Sequence, residues 1–457
     1  MATKGTIKFY HQIEDNGKQI VQDSKGAFLS SIEEGQYTLY VKEVESHKQT
    51  LEHVRMLAGD LSRTFQNNHV SSVSIQSTEL LHTYDQLQAE EVITSFVEGW
   101  DLGAYDFDKY KSTKVNEKAT LTWEADHSYE NAITAGHIRA AATAFSRDLM
   151  NETSTTLTPE TFPTILQEAY QADNIDVVVH DKAQLEKMEM NGLLTVNRGS
   201  KHDPAFIELH YKGDESKPLV ALVGKGVTFD TGGISLKSGR NISDMRMDMG
   251  GAAAVAGALK LLAQSNAKVN VVGLIQTVEN APDKDSMYPG EVITYKNGHT
   301  VQVGNTDAEG RLILADGLIR AGELKADYII DIATLTGAVA MALGPKLGGI
   351  FGEDDLLSEM KEVGDLNGEH VWPMPLVDDY DETLHSDYAD FCNISNQASG
   401  GSITAALFLR RFVPEGAKWI HVDMAGVMDS KTKGYYKSGA TGFGARLLAD
   451  YAVKVSE

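Results

Sequence analysis

From about residue 165 onward, short continuous apolar runs alternate with longer segments of helical periodicity. The runs at 219–223, 269–276, 328–333 and 419–422 read as strands, and the stretches 251–264, 312–324, 403–412 and 442–453 read as helices. Strands apolar on both faces and separated by helices predict a mostly parallel sheet covered by helices on both sides. Ligands bind such sheets beyond the carboxyl ends of the strands, so chemistry is expected there. The first 125 residues are more polar and acidic. Strand-like runs at 6–10, 37–44 and 70–75 surround a helix over 50–66, which predicts a small α/β unit. A helix over 130–150 and a Thr-rich stretch over 151–164 bridge the two. The expected fold class is α/β, with a smaller N-terminal α/β domain (1–128), a linking helix and bridge (129–164) and a larger C-terminal catalytic domain (165–457).

Composition narrows the classes. With 42% hydrophobic and 23% charged residues, the 457-residue chain is not disordered as a whole. Against 41 Lys and Arg stand 65 Asp and Glu, a net charge of −24. Such a surface repels nucleic-acid backbones and anionic lipid. Arg410 and Arg411 form an isolated basic pair, with no extended basic stripe around them. Cys392 is the only cysteine, which excludes an internal disulfide and any Cys-rich zinc module; it reads as a buried small hydrophobe. The start of the chain has no apolar signal region. The most apolar stretch, 328–343, contains Asp331, is too short to span a bilayer, and reads as a buried strand plus turn. No membrane role and a cytoplasmic location are expected.

Three clusters carry candidate chemistry. The first, GKGVTFDTGGISLK over 224–237, follows the strand at 219–223 and places Lys225, Asp230 and Lys237 on a glycine-rich loop at a strand's end. A P-loop needs Ser or Thr after its Lys, and Gly226 follows Lys225. Read alone, the segment is equally a turn with solvated charges. The second, MRMDMGG over 245–251, opens an Ala-rich helix, where Asp248 could simply favour the positive end of the dipole. The third, NTDAEGRL over 305–312, opens another helix. Thr306 and Glu309 there match a capping box, which leaves Asp307 and Arg311 unaccounted for. Four carboxylates, Asp230, Asp248, Asp307 and Glu309, thus fall on loops at one edge of the sheet. Such a group persists if cations neutralise it, and two divalent ions bridged by shared carboxylates would do so. HExxH is absent, so the pattern is not that of a zincin.

These three motifs closely resemble the signatures of the leucyl aminopeptidases (cytosol aminopeptidases), a family of dimetal peptidases. NTDAEGRL is the most specific of them, and DIATLTGA (331–338), SGGSITAALFL (399–409), HVDMAG (421–426) and ATGFGARLL (440–448) extend the resemblance from about residue 130 to the end. The bridge departs from the family pattern, since 151–155 lacks the Pro and Asn usual after the Arg-Asp-Leu run. The resemblance implies that Asp230 and Glu309 bridge two metals, that Asp307 binds the more readily exchanged ion, and that Lys225 and Asp248 bind the tighter one. It implies a charged Lys237 as oxyanion stabiliser, and an Arg311 that holds bicarbonate as general base. A pocket for the first side chain is implied at Met245, Thr334, Leu335, Gly337 and Ala425. The expected activity is therefore release of N-terminal residues, preferentially Leu or Met, from peptides by a water activated between two ions, Mn²⁺ or Zn²⁺. The expected assembly is a homohexamer. Two alternatives stand beside it: a Cys-Gly-type dipeptidase of the same family, and an added DNA-binding role, which the net charge opposes. His421 and the other histidines read as structural.

Overall fold

The computed structural model describes residues 3–33, 35–114, 117–124, 128–238 and 242–457. Two compact units are present, one of Met1–Ala144 with Ser430–Gly439, the other of Phe145–Asp429 with Ala440–Glu457.

The first unit holds a five-stranded sheet in the order Phe28–Glu33, Gln36–Val41, Thr3–Lys8, Val70–Gln76, Thr120–Glu124. Two helices, Leu51–Asn67 and Ala89–Gly103, pack tightly because glycines face backbone. A Cβ on Gly99 would stand 2.2 Å from the carbonyl oxygen of Arg55, and one on Gly103 would stand 2.4 Å from Cα of Gly59. Leu39, Val54, Leu61, Phe65, Val73 and Phe96 fill the core between sheet and helices. The late segment 430–439 belongs here: the Gly434 N–H donates to Asp60 Oδ1 at 2.9 Å, and Arg63 Nη2 donates to the Tyr436 carbonyl at 2.8 Å.

The second unit is built on eight strands: β1 (Asp176–His180), β2 (Ala205–Lys212), β3 (Leu219–Asp230), β4 (Asn270–Asn280), β5 (Tyr328–Ala333), β6 (Gly348–Gly352), β7 (Val371–Pro373) and β8 (Lys418–Asp423). Their order is β7-β6-β8-β5-β3-β4-β2-β1. The central run β8-β5-β3-β4 is parallel, and antiparallel pairs flank it at β6 and β2. Five helices matter for the site: α1 (Gly250–Gln264), α2 (Gly310–Glu323), α3 (Gly337–Leu343), α4 (Gly401–Arg410) and α5 (Ala445–Lys454). Alternation along β3 explains the covering of both faces. Ala221 and Val223 join Leu312 and Leu318 of α2 and Phe408 of α4 in one apolar core. Gly224, next in the alternation, meets α1, where a Cβ would stand 2.7 Å from the Gly251 carbonyl.

That contact corrects one expectation. The glycine-rich stretch after residue 223 is not a loop as far as Asp230: β3 is 12 residues long in all, and Lys225 and Asp230 lie on it. Gly224 and Gly226 serve close approach within the sheet, since a Cβ on Gly226 would stand 2.4 Å from the Gln276 carbonyl on β4. The turn proper begins at Gly232 and Gly233, both with positive φ. A second correction concerns 328–343, whose end is the helix α3, with Met341 strongly exposed.

Candidate active site

The candidate groups gather around the carboxyl ends of the central strands, with Lys225 set back within β3. Asp230 ends β3, Asn280 ends β4, Thr334 follows β5, and Asp248, Asp307 and Glu309 precede α1 and α2. The side chains of Asp230, Asp307 and Glu309 offer carboxylate oxygens all within 4.8 Å of one another. Lys237 enters this group, with Nζ 2.7 Å from Asp230 Oδ2 and 2.5 Å from Asp307 Oδ1. Lys225 joins the others: Nζ lies 2.8 Å from Asp248 Oδ2 and 3.0 Å from Glu309 Oε1, and donates to the Thr334 carbonyl at 3.0 Å. Thr334 Oγ1 donates in turn to Asp248 Oδ1 at 2.8 Å. The four carboxylates and two lysines thus form one contiguous cluster, on β3, the turn after it and two helix entries.

Two bland readings do not survive. Asp248 is paired to Lys225 and Thr334 rather than idling at a helix start. The capping box at Thr306 and Glu309 is not formed, because Glu309 itself is the N-cap and makes no capping bond with its side chain. Thr306 instead fastens the glycine turn: its hydroxyl donates to the Gly232 carbonyl at 2.6 Å and accepts the Ser235 N–H at 2.8 Å. Gly232 is required there, since a Cβ would stand 2.8 Å from Asp307 Oδ1.

Two residues that fix the cluster, Asn280 and Asn393, carried no signal in the sequence, and a third, Asp423, lay within HVDMAG with no role assigned to it. Asn280 donates through Nδ2 to Asp230 Oδ1 at 2.9 Å and to the Thr306 carbonyl at 3.0 Å. Asn393 pins the loop before α2, accepting the Gly304 N–H at 2.7 Å and donating to the Asn305 carbonyl at 2.8 Å. Its own carbonyl accepts from Arg311 Nη1 at 2.8 Å. Asp423 ends β8 and accepts from Leu335, Thr336 and Ala425. Each reaches the site through strand pairing across long sequence separation, which a local motif cannot display.

Electrostatics follow from burial. Burial opposes the Lys225 ammonium, but Asp248, Glu309 and Asp230 outweigh it and hold the proton on well above the ordinary lysine range. Lys237 shows the same balance, with Asp230 and Glu309 prevailing. Burial pushes Asp248 up to about 8, Lys225 opposing and Asp230 and Glu309 adding to the shift. Asp307 and Glu309 are raised by burial and then by Asp230, with the lysines opposing. Burial lowers the Arg311 guanidinium to about 10, against Glu309 and Asp423. Carboxylates this hard to ionise are short of positive charge.

The donor set fits divalent cations. Four carboxylates face two ammonium groups, and the buried oxygens Asp248 Oδ2 and Asp307 Oδ1 have only ion-pair contacts to lysine, with no directional hydrogen bond. Among the described residues, Arg311 Nε likewise has no acceptor. Of the pocket candidates, Met245 lies on the 3-10 turn Ser243–Met247, Leu335 and Ala425 are partly exposed, and Gly337 opens α3 with nothing within 4 Å of where its Cβ would stand.

Comparison with known proteins agrees with this chemistry. Residues 144–449 match the catalytic domain of the cytosol aminopeptidase family, and residues 45–114 match that family's N-terminal domain. A probable cytosol aminopeptidase of Chlorobium limicola is 43% identical over 382 residues, covering 80% of this chain and 76% of the relative. One from Aquifex aeolicus is 42% identical over 373 residues, covering 80% and 76%. Among solved structures, the bottromycin maturation enzyme BotP in complex with Mn superposes over 100% of both chains, with a TM-score of 0.91 and 31% identity.

Proposed function

The chain belongs to the cytosol aminopeptidase family, a metal-dependent peptide hydrolase family, and from that footing we propose that it releases N-terminal Leu- and Met-type residues from peptides at a site for two divalent ions. The observation that carries this reading is the carboxylate triad of Asp230, Asp307 and Glu309 joined through Glu309 to Lys225 and Asp248. Asp230, Asp307 and Glu309 with Lys225 and Asp248 would hold the ions, an assignment that follows the family resemblance and that their contiguity supports. Oxygen donors with one amine suit Mn²⁺ or Zn²⁺. Bound ions would offer a position for the substrate's free α-amine, polarise the scissile carbonyl and lower the pKa of the attacking water.

The protein's own groups then divide the work. Lys225 would serve as an amine ligand only in its neutral form, its proton passing to solvent, since a cation would take over the carboxylates that now hold the ammonium. Lys237, relieved of Asp230 and Asp307 in the same way, remains an ammonium and donates to the oxyanion of the transition state. Arg311 is held by the Asn393 carbonyl and keeps Nε uncommitted, which suits it to fix an anion such as bicarbonate, a proton acceptor. Met245, Thr334, Leu335, Gly337 and Ala425 would line the pocket for the first side chain. None is charged, so an acidic or basic side chain there would be desolvated unpaired. A cytoplasmic homohexamer is part of the proposal, on resemblance to the family alone.

The test is metal removal and add-back, followed with Leu, Met, Ala and Cys-Gly substrates and with acetyl-Leu amide. Stripped protein should be inactive, recover with two ions per chain by elemental analysis, and leave acetyl-Leu uncut. Activity without metal, or comparable turnover of acetylated and free Leu amides, would overturn the reading.

A further inference from the structure

Apart from Met245 on its 3-10 turn, the residues of the proposed pocket follow two different strands. Thr334, Leu335 and Gly337 lie on the turn after β5, and Ala425 lies on the turn after β8. β5 and β8 are paired, with Ala333 opposite Asp423, and one further backbone bond continues the ladder, from the Met424 N–H to the Ala333 carbonyl at 2.8 Å. Beyond it the strands part, and a single fully buried carboxylate takes over. Asp423 Oδ1 accepts the N–H groups of Leu335 at 3.2 Å, Thr336 at 3.3 Å and Ala425 at 3.2 Å. Oδ2 accepts the Thr336 hydroxyl at 2.6 Å. That hydroxyl oxygen also accepts the Val339 N–H at 3.1 Å, so the same contact caps α3.

We propose that Asp423 is a positioning residue that sets the width of the pocket for the first side chain, by clamping the turn after β5 and the turn after β8 to one acceptor; this rests on the functional reading above. The chemistry calls for a carboxylate. All four partners are donors, and an asparagine could satisfy the three at Oδ1 only by turning its amide NH₂ towards the Thr336 hydroxyl. That hydroxyl would then lose its acceptor and have to receive a second donor. The turn after β5 would loosen at the residues that face the substrate, while Asp423 itself touches none of the proposed ligands.

The test uses the metal-loaded full chain, with Asp423→Asn, Thr336→Val and Thr336→Ser. Hydrogen exchange read by mass spectrometry should quicken together in peptides covering 334–340 and 424–426 of Asp423→Asn. The ion content should stay at the parent's level, and the Leu-to-Ala ratio of kcat/KM should fall about tenfold, the size expected when a pocket loses its fit to one or two methylenes. Thr336→Val should loosen 334–340 and lower the ratio in the same direction, and Thr336→Ser, which keeps the hydroxyl, should restore it. Equal losses for Leu and Ala, or exchange that rises across the whole chain, would overturn the clamp. If Asp423→Asn does not fold, the two Thr336 variants decide: a parent-like ratio and parent-like exchange in Thr336→Val reject the proposal. A parent without metal or free-amine hydrolysis would sink the functional reading, whereas the exchange measurements would still decide the clamp.

Discussion

Lys225 and Lys237 both stand among carboxylates and share Asp230 and Glu309 as partners, yet one is enclosed on a strand and the other stands on a turn. Lys225 is held within β3, its side chain 3% exposed, with Asp248, Glu309 and the Thr334 carbonyl all around Nζ. Gly310 is closed in upon it, since a Cβ there would stand 2.6 Å from Lys225 Cε. Lys237 stands past the end of the strand, beyond two glycines of positive φ, and one of its partners, Asp307, has a side chain 31% exposed. A lysine with every direction blocked can only serve what is already there, as a counter-ion or a ligand. A lysine on a turn can exchange partners and meet a charge that exists for an instant. The same residue type, in one cluster, thus stands in one enclosed position on a strand and one on a turn, the contrast on which the proposed ligand and oxyanion roles rest.

The largest effect that would break this contrast is on stability. In the metal-free protein, Lys225→Ala leaves Asp248 and Glu309 buried without their cation, and removing one partner of such a buried pair costs roughly 3–5 kcal/mol. Lys237→Ala should cost less, because water reaches one of its two partners, Asp307, and the other, the buried Asp230, keeps the Asn280 amide and the Gly232 N–H as donors. Urea melts of the two chelated variants against the parent measure the difference directly. Equal losses would mean that the two lysines are equivalent counter-ions.

Activity sharpens the contrast from the other side. Lys237→Ala should keep both ions and lower kcat by about 10²–10³, the usual effect of removing one oxyanion donor. Metal content and kcat measured on the same samples separate this from a ligand role. A variant that loses metal while the rate per loaded site is unchanged would place Lys237 with Lys225.

The motif-bearing half of the site was legible in sequence because its groups lie close together along the chain. Asp307, Glu309 and Arg311 fall within five residues, and so dense a run of charge before a helix demands an account. The central strands and the helices that follow them were legible from their apolar runs, which match β5 at both ends. The supporting shell was not. Asn280 closes an apolar strand, Asn393 sits beside the lone cysteine, and Asp423 lies in a run whose pattern says only strand. Their partners lie 26 to 88 residues away for the bonds to Thr306, Asn305 and Leu335. Propensity also misjudged Thr306 and Glu309, where a local capping pattern was overridden by a long-range hydrogen bond to the Gly232 turn. The polar segment 430–439 packs with helix Leu51–Asn67 for the same kind of reason: Gly59, whose Cβ would stand 2.4 Å from the Tyr435 nitrogen, leaves room that no periodicity announces.

The smallest effect extends the comparison from the lysines to the pocket, and it rests on Gly337. Among the described residues, and apart from its chain neighbours and its own helix backbone, nothing lies within 4 Å of where a Cβ would stand, and Gly337 is not among the glycines with positive φ, so a valine fits the backbone without strain. Gly337 is the first residue of α3, after the Thr336 cap, where exchanging glycine for valine alters helix propensity by only about 0.5 kcal/mol. Stability and metal content should therefore stay at the parent's level, unlike those of Lys225→Ala. The open volume is what changes. Filling it with two methyl groups should displace about two buried methylenes of a leucine substrate, at about 0.8 kcal/mol each, and so cut kcat/KM for Leu roughly tenfold. An alanine substrate does not reach that depth and should lose less than about threefold. Paired assays with Leu and Ala amides read the difference, and Met should follow Leu. If Gly337→Val slows both equally, or neither, the open space beside α3 is not the pocket for the first side chain, and Met245 is then a core residue at a helix entry.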